Sequence, residues 1–259
     1  HYRLVSLGVG GYQNTARHYK KLSAILVKAR KNGDIPWDSL ADHGRYMRYY
    51  QPSGEPHLIP PEDLAEMAVV GSGRDPWPIL GVRPLIWLEK DALADLIHDA
   101  TFDLYVPVFV TRGYSSWTFI HDSLGFLRES GTKKVILFLS DHDPSGLDLM
   151  RFTAEALQFF GVKFELVRVA LTFDQVRERG LPPNPTKKAD SRSRGYVERY
   201  GDQCWELDAL PPEDLKRIVR EAVERYIDRE EWERIREEDR RKREELVARV
   251  RRALKGVEY

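Results

Sequence analysis

The sequence has very little cysteine, no long apolar run and no excess of charge of either sign. Cys204 is the one cysteine among 259 residues, so the chain forms no internal disulfide and no cysteine-rich zinc site, which is typical of a reducing compartment. No apolar run reaches membrane-spanning length, so we expect a soluble, cytoplasmic protein without a membrane partner. The 41 basic and 41 acidic side chains cancel, so no global field attracts nucleic acid. Because His1 is not an initiator methionine, we expect the natural chain to begin earlier.

Positive charge is concentrated in the first fifty residues. Apolar residues recur there at helical spacing from Asn14 to the stop signal Asn32-Gly33. A small, basic, helical segment predicts a winged-helix-like DNA-binding domain over residues 1–50. An ordinary amphipathic helix with a solvated lysine face is the alternative. The basic residues are Arg3, Arg17, Lys20, Lys21, Lys28, Arg30, Lys31, Arg45 and Arg48.

The middle of the chain predicts an α/β domain. Residues 51–83, rich in proline and glycine, predict a linker interrupted by one short helix at Pro61 to Val70. Over residues 84–210, continuous apolar runs alternate with segments of helical length, which predicts a parallel, Rossmann-like sheet with helices on both faces. The predicted strands are 84–90, 106–113, 133–141 and 163–171, and the predicted helices are 91–100, 115–130 and 145–160.

Carboxylates lie at the ends of two of these strands. Glu89 ends the first strand, and Asp141 and Asp143 end the third, in "LSDHDPSG". If the two strands are neighbours, three carboxylates meet at the ligand-binding edge of the sheet, where a hard cation such as Mg²⁺ would neutralise them. A helix cap and a phosphotransfer site are alternatives. A calcium loop is excluded, because Phe152 stands where that loop requires glutamate.

The pattern of a glutamate closing one strand ("WLEK") and an aspartate-x-aspartate closing a later one ("SDHDPSG") resembles the Toprim domain of topoisomerases, primases and several nucleases. The chain is more closely similar to the topoisomerase VI A subunit and the meiotic double-strand-break proteins, in their bacterial or phage branch. The stretches "VFVTRGYSSW", "RVALTFDQV", "LPPNPTKKADSR" and "CWELDAL" carry this closer resemblance, which extends from Tyr2 to about Asp228.

The resemblance implies a mechanism for cutting DNA. One Mg²⁺ ion, or two, would be held by Glu89, Asp141 and Asp143 at the scissile phosphate. Tyr2 would attack the phosphate from the other subunit of a homodimer, or else water would hydrolyse it. Lys90 would donate a proton or contact phosphate. Tyr2 packed under the first helix and Lys90 facing solvent are the alternatives, and any energy coupling would require a separate ATPase subunit.

Basic residues elsewhere are candidates for DNA contacts. Arg112 follows another strand end in "TRGYSS", and Lys187 and Arg192 lie in a proline-rich loop. These would join Arg3, Lys20 and Arg30, although solvated side chains are the simpler interpretation of the loop. Glu206 and Asp208 in "WELDAL" would assist the metal site, or cap the next helix.

Residues 211–259 predict a C-terminal helical arm. After Pro211-Pro212 the sequence has an apolar stripe, and residues 236–245 are all charged, which predicts a long solvated helix supported by i,i+4 ion pairs. The chain as a whole therefore predicts a Mg²⁺-dependent, nucleoid-associated enzyme of topoisomerase VI A type that cleaves DNA. A catalytically silent DNA-binding Toprim module and a Toprim nuclease acting on RNA are the alternatives.

Overall fold

The computed structural model describes residues 4, 9–13, 15–39, 46–48, 57–58, 69–70, 73–113, 116–129, 131–185 and 193–254. The strands are β1 (Tyr46–Arg48), β2 (His57–Leu58), β3 (Val69–Val70), β4 (Val82–Leu88), β5 (Val108–Val110), β6 (Lys133–Leu139), β7 (Phe164–Ala170), β8 (Asn184–Pro185) and β9 (Gln203–Cys204). The α-helices are α1 (Ala16–Lys31), α2 (Trp77–Leu80), α3 (Ala94–Thr101), α4 (Trp117–Asp122), α5 (Leu124–Leu127), α6 (Pro144–Phe159), α7 (Phe173–Arg179), α8 (Ser193–Tyr200), α9 (Pro212–Glu224) and α10 (Arg229–Leu254).

The central sheet has the order β1-β5-β4-β6-β7. Strands β4 to β7 are mutually parallel, and β1 pairs antiparallel with β5 at one edge. The four parallel strands are those that the apolar runs predict, each with slightly different ends. The predicted α/β class with a helix-flanked parallel sheet is confirmed.

Helices cover both faces of the sheet, which is why the strands read as continuous apolar runs. Alternate residues of β4 illustrate the arrangement: Ile86 and Leu88 belong to the cluster formed with α3, α7 and α9, whereas Leu85 and Trp87 belong to the cluster formed with α4, α5 and α6. All four of these side chains are fully buried.

The strand order places a topological switch point between β4 and β6. The chain passes from β4 to β5 on one side and then returns to β6 on the other side of β4. In open α/β sheets, ligands bind at the carboxyl ends of the strands at such a point, because the flanking helices diverge there. Glu89 follows β4, and its backbone N–H donates to the carbonyl of Leu139 at the end of β6 (3.0 Å). The condition on which the acidic site depended, that these strands are neighbours, is met.

The described part of residues 1–50 packs on the central unit. Thr15 caps α1 in place of the predicted Asn14, which lies outside the described residues, and the helix stops at Asn32 as predicted. At the end of α1, the buried guanidinium of Arg30 donates to the hydroxyl of Thr118 in α4 (2.7 Å) and lies over the ring of Trp37 (4.8 Å). Strand β1 also lies within residues 1–50, so this segment contributes an edge strand to the central sheet.

We expect Arg30→Met to destabilise the protein by about 1 to 3 kcal/mol, because a buried charge-assisted hydrogen bond and a cation–π contact are lost. The measurement is the free energy of unfolding from chemical denaturation. Lys28→Met on the exposed side of the same helix is the matched control and should cost less than about 0.5 kcal/mol. Equal losses in the two variants would contradict the buried role of Arg30.

The described part of the predicted linker, residues 51–83, contains two paired strands, the helix α2 and the first two residues of β4. β2 and β3 pair antiparallel. The predicted helix at Pro61 to Val70 lies mostly outside the described residues, but its last two residues, Val69–Val70, form β3 and the helix prediction is wrong for them. Apolar β-branched residues at the end of the segment favour pairing over helix.

The predicted long, charged C-terminal helix is present as α10. Its first part is anchored to the central unit: Trp232 is buried edge-on against Trp77 (5.1 Å between ring centroids), and Arg74 pairs with Asp239 (2.7 Å) and Glu238 (2.9 Å). The following turns are largely exposed and carry ion pairs such as Arg240–Glu244 (2.6 Å). α9, which also falls in the predicted arm, packs against α3 on the sheet. No helix in the described ranges is both long and apolar enough to cross a membrane.

Candidate functional site

Glu89 is half-buried at the switch point and carries an unsatisfied oxygen. Its Oε2 atom is buried without a hydrogen-bond partner among the described residues. Burial, together with the negative charges of Asp141 and Asp143, raises the pKa of Glu89 to about 7, although a backbone hydrogen bond from Asp141 and the charge of Arg168 act in the opposite direction. A carboxylate in this state is stabilised by any cation that reaches it.

Asp141 lies two residues beyond the end of β6, and its side chain is held by a distant part of the chain. Its Oδ1 atom accepts the backbone N–H of Leu207 (2.7 Å). Burial raises the pKa of Asp141, and this hydrogen bond opposes the effect. The neighbouring backbone of His142 pairs with Trp205 as an isolated antiparallel bridge. The "WELDAL" segment is therefore docked on the strand end that carries the aspartates.

Asp143 is the N-cap of α6. Its Oδ1 accepts the backbone N–H of Gly146 (2.6 Å), and Pro144 occupies the first turn, so the helix-cap interpretation of this aspartate is correct for one of its oxygens. Gly146 lies against the strand end: a Cβ atom there would be 2.2 Å from the carbonyl oxygen of Asp141. The glycine permits the close approach of helix and strand that keeps Asp143 near Asp141.

The residue between the two aspartates points elsewhere, as alternation along an extended chain requires. His142 is buried among the rings of Phe173, Tyr196, Tyr200 and Trp205. The Tyr196 hydroxyl lies 2.9 Å from His142 Nδ1 and donates to the His142 carbonyl (2.8 Å). Burial and the nearby Arg168 lower the pKa of His142 to about 4, so its ring is neutral at physiological pH.

Arg168, on β7, supplies the positive charge beside the carboxylates. Its Nη2 donates to the carbonyl of Asp141 (2.7 Å), and its Nε donates to the carbonyl of Leu171 (2.8 Å). The third nitrogen, Nη1, is buried without a hydrogen-bond partner among the described residues. Burial lowers the pKa of Arg168, while the charges of Asp143 and Glu89 act to raise it. The guanidinium therefore lies within electrostatic range of both acids and is hydrogen-bonded to neither in the described contacts.

Two further predicted residues are engaged in ion pairs at the same edge. Lys90 donates to Asp208 (2.6 Å) and Glu206 (3.0 Å), and the charges of Glu206 and Lys90 both act on the carboxyl of Asp141, so this ion pair lies beside the strand-end carboxylates. Arg112, with a positive φ of 49° in the turn after β5, pairs with Asp91 (3.0 Å). In the structure both cations are therefore already paired with carboxylates.

The carboxylates suit Mg²⁺ in chemistry but do not form a preassembled cage. Within the described ranges, no group of three or more His, Cys, Asp or Glu side chains is close enough to hold an ion. The expected convergence of Glu89, Asp141 and Asp143 is therefore electrostatic and does not reach ligating contact, because Asp143 Oδ1 turns to cap α6 and Asp141 Oδ1 turns to Leu207. Mg²⁺ commonly uses one or two carboxylates and several waters, so the buried Oε2 of Glu89 and one aspartate fit that donor set.

The predicted DNA-contacting residues have different outcomes. Tyr2, Arg3, Lys187 and Arg192 lie outside the described residues, and their roles stay predictions. Lys20 is exposed on α1. Arg30 is 5% exposed and bonded to Thr118, so in this structure its guanidinium is directed into the protein and not toward DNA.

Arg168 is the residue that the sequence interpretation missed. A signal was present, since an arginine in the middle of an apolar run ("FELVRVA") that is predicted to be a buried strand requires a partner.

Compared with known proteins, the sequence matches no family model, and no curated protein matches it significantly.

Proposed function

We propose that the protein is a Mg²⁺-dependent enzyme that cleaves DNA phosphodiester bonds, of the Toprim and topoisomerase VI A type that its sequence resembles. The observation that carries the proposal is two buried atoms of opposite charge without hydrogen-bond partners among the described residues, Glu89 Oε2 beyond β4 and Arg168 Nη1 on β7, in side chains close enough for each charge to shift the pKa of the other. Buried polar atoms almost always have partners, so each exception requires an explanation, and strongly shifted pKa values are typical of functional sites. A phosphate accompanied by a divalent cation would satisfy both atoms at once.

Glu89 and one aspartate would hold the cation directly, and Asp143 has for this purpose the oxygen that does not cap α6. When bound, Mg²⁺ neutralises the phosphate and stabilises the charge that develops on it. Arg168 Nη1 donates to a non-bridging phosphate oxygen from a fixed position, because its other two nitrogens are held by backbone carbonyls. Because Nη1 is closed to solvent, the groups around it must move before a phosphate oxygen reaches it, while the guanidinium itself keeps its orientation.

The attacking group is Tyr2 from a second copy of the chain. Its phenolic oxygen forms a bond to phosphorus as the bond from phosphorus to the deoxyribose oxygen breaks, and the phenolic proton leaves to a base while the departing oxygen gains one. Attack by water in place of Tyr2 gives hydrolysis. A homodimer supplies one centre for each DNA strand, and strand passage requires a separate ATPase subunit.

The test is cleavage of supercoiled plasmid by the full chain, with Mg²⁺ or with EDTA, stopped with detergent. We expect nicked or linear plasmid in the reaction with Mg²⁺ and intact plasmid in the reaction with EDTA. If Tyr2 is the attacking group, the cleaved DNA is covalently joined to protein. Parallel reactions contain RNA and candidate partner subunits. Intact DNA and cleaved RNA would favour the RNA nuclease, whereas DNA binding with no cleavage in any mixture would favour the silent module.

A further inference from the structure

A groove opens next to the acidic site, between the start of α6 and the helix α8. Its volume is about 300 Å³. Pro144, Leu147 and Arg151 line one side, and Tyr196, Arg199 and Tyr200 line the other. The groove adjoins the proposed cleavage centre, because Pro144 follows Asp143 and the hydroxyl of Tyr196 is bonded to the backbone of His142.

The groove is lined by aromatic, apolar and cationic side chains and by one acid, Asp148, which is paired with Arg151. Tyr200 is half-exposed, with its ring edge-on to His142 (4.7 Å between centroids) and supported by Phe173 and Tyr196. Arg199 is exposed and has no ion-pair partner among the described residues. Arg151, in contrast, is held by Asp148 and Glu155. The groove is therefore lined by the packed ring of Tyr200 and by Arg199, which has no ion-pair partner among the described residues.

We propose that this groove binds an unpaired nucleotide of DNA next to the scissile phosphate. The base stacks on Tyr200, and Arg199 contacts the adjoining phosphate. Proteins that bind single strands combine aromatic platforms with cationic side chains in this way, because every base has a π-face and every nucleotide a charge. A fully paired duplex keeps its bases within the stack and gains only the phosphate contact. This inference rests on the proposed function for its substrate class and adds a preference for single-stranded or locally opened DNA.

The test is a binding measurement in EDTA, so that no cleavage is required. Fluorescence anisotropy of a labelled single-stranded DNA and of the same sequence as a blunt duplex gives two dissociation constants. We expect the single strand to bind at least fivefold more tightly. Tyr200→Leu should weaken single-strand binding roughly tenfold and duplex binding little, as expected for the loss of one base–aromatic stack. Tyr200→Phe retains the ring and should bind within about twofold of the wild type.

Arg199→Ala keeps the proposal testable if Tyr200→Leu disturbs folding, because Arg199 is exposed and unpaired within the described residues. We expect it to weaken single-strand binding roughly fivefold and to reduce the salt dependence by about one phosphate contact. The control is Arg194→Ala on the same helix, which removes the same charge from a side chain that is 92% exposed, pairs with Glu198 and does not line the groove. Equal weakening by the two arginine variants, or equal affinity for duplex and single strand, would overturn the groove. DNA cleavage can persist in either case, so the proposed function is judged separately.

Discussion

Glu89→Gln is expected to abolish Mg²⁺-dependent cleavage, with a loss of roughly 1,000-fold or more, and at the same time to stabilise the metal-free protein. The activity is lost because the amide cannot balance the charge of a divalent ion. The stability rises because the native carboxylate is ionised in a partly desolvated position next to Asp141 and Asp143, which raises its pKa to about 7. One substitution should therefore move the two properties in opposite directions.

The pH dependence gives the sign of this effect. The folded pKa of Glu89 lies above its ordinary value of 4.5, so the folded state binds this proton more tightly than the unfolded state. The penalty is absent below about pH 4.5, grows as the pH rises to about 7, and is then constant. Each pKa unit corresponds to about 1.4 kcal/mol, so the penalty at pH 8 is on the order of 3 kcal/mol.

The measurement is the melting temperature of both proteins at pH 4.5 and pH 8 in EDTA, repeated at pH 8 with Mg²⁺. Glu89→Gln should exceed the wild type at pH 8 in EDTA by several degrees and match it at pH 4.5. Mg²⁺ should raise the melting temperature of the wild type more than that of the variant. Glu178→Gln, which removes an exposed charge on α7, is the control. A Glu89→Gln variant that melts below the wild type at pH 8 in EDTA would contradict the claim that ionised Glu89 destabilises the metal-free protein.

Arg168→Met should lower kcat for cleavage by about 100- to 1,000-fold, the typical loss on removing one preorganised donor to a developing negative charge. DNA binding should change much less, because most of the affinity for DNA comes from distributed phosphate contacts. Methionine also leaves the carbonyls of Asp141 and Leu171 without their donor, so a loss of stability is expected as well. Steady-state kinetics must therefore be accompanied by a thermal melt.

Arg168→Lys separates the two roles of this side chain. Lysine retains the charge but lacks the planar fork that reaches two carbonyls and the phosphate together. We expect it to recover part of the stability and less than a tenth of the activity, with KM close to that of the wild type. Arg179→Met removes an arginine that pairs with Asp214 and serves as the control for nonspecific charge loss. Wild-type kcat in a folded Arg168→Met protein would remove Arg168 from the mechanism.

The strands and the acidic edge were predictable because they depend on local patterns. Each buried strand is a short apolar run, and Glu89 and Asp141 lie just beyond two such runs. Chain order alone does not say which strands are neighbours, so the adjacency of β4 and β6 could be stated only as a condition. The contacts of Asp141 with Leu207 and of Arg30 with Thr118 join residues 66 and 88 positions apart. Contacts of that kind depend on tertiary packing, which no local pattern encodes.

The ion pairs of Lys90 illustrate the same limit at shorter range. The sequence placed Lys90, Glu206 and Asp208 near the acidic edge but gave no means of deciding which acid faces the metal and which faces the lysine. In the structure each acid gives one oxygen to Lys90, and Glu206 also lies within electrostatic range of Asp141. Which oppositely charged side chains form ion pairs depends on their distances in the folded protein, and spacing along the chain does not reveal those distances.

The position of Asp143 relative to Asp141 depends on Gly146, which has no Cβ atom. Since a methyl group at position 146 would occupy the space of the Asp141 carbonyl oxygen, at 2.2 Å, any larger residue must lever the first turn of α6 away from the sheet. Asp143 would move with that turn, and the electrostatic coupling among the acids would weaken although each of them was retained. Homologous sequences that keep both aspartates but replace this glycine should accordingly be treated as having lost the geometry of the site, and a search for active relatives should weigh Gly146 as heavily as the acids themselves.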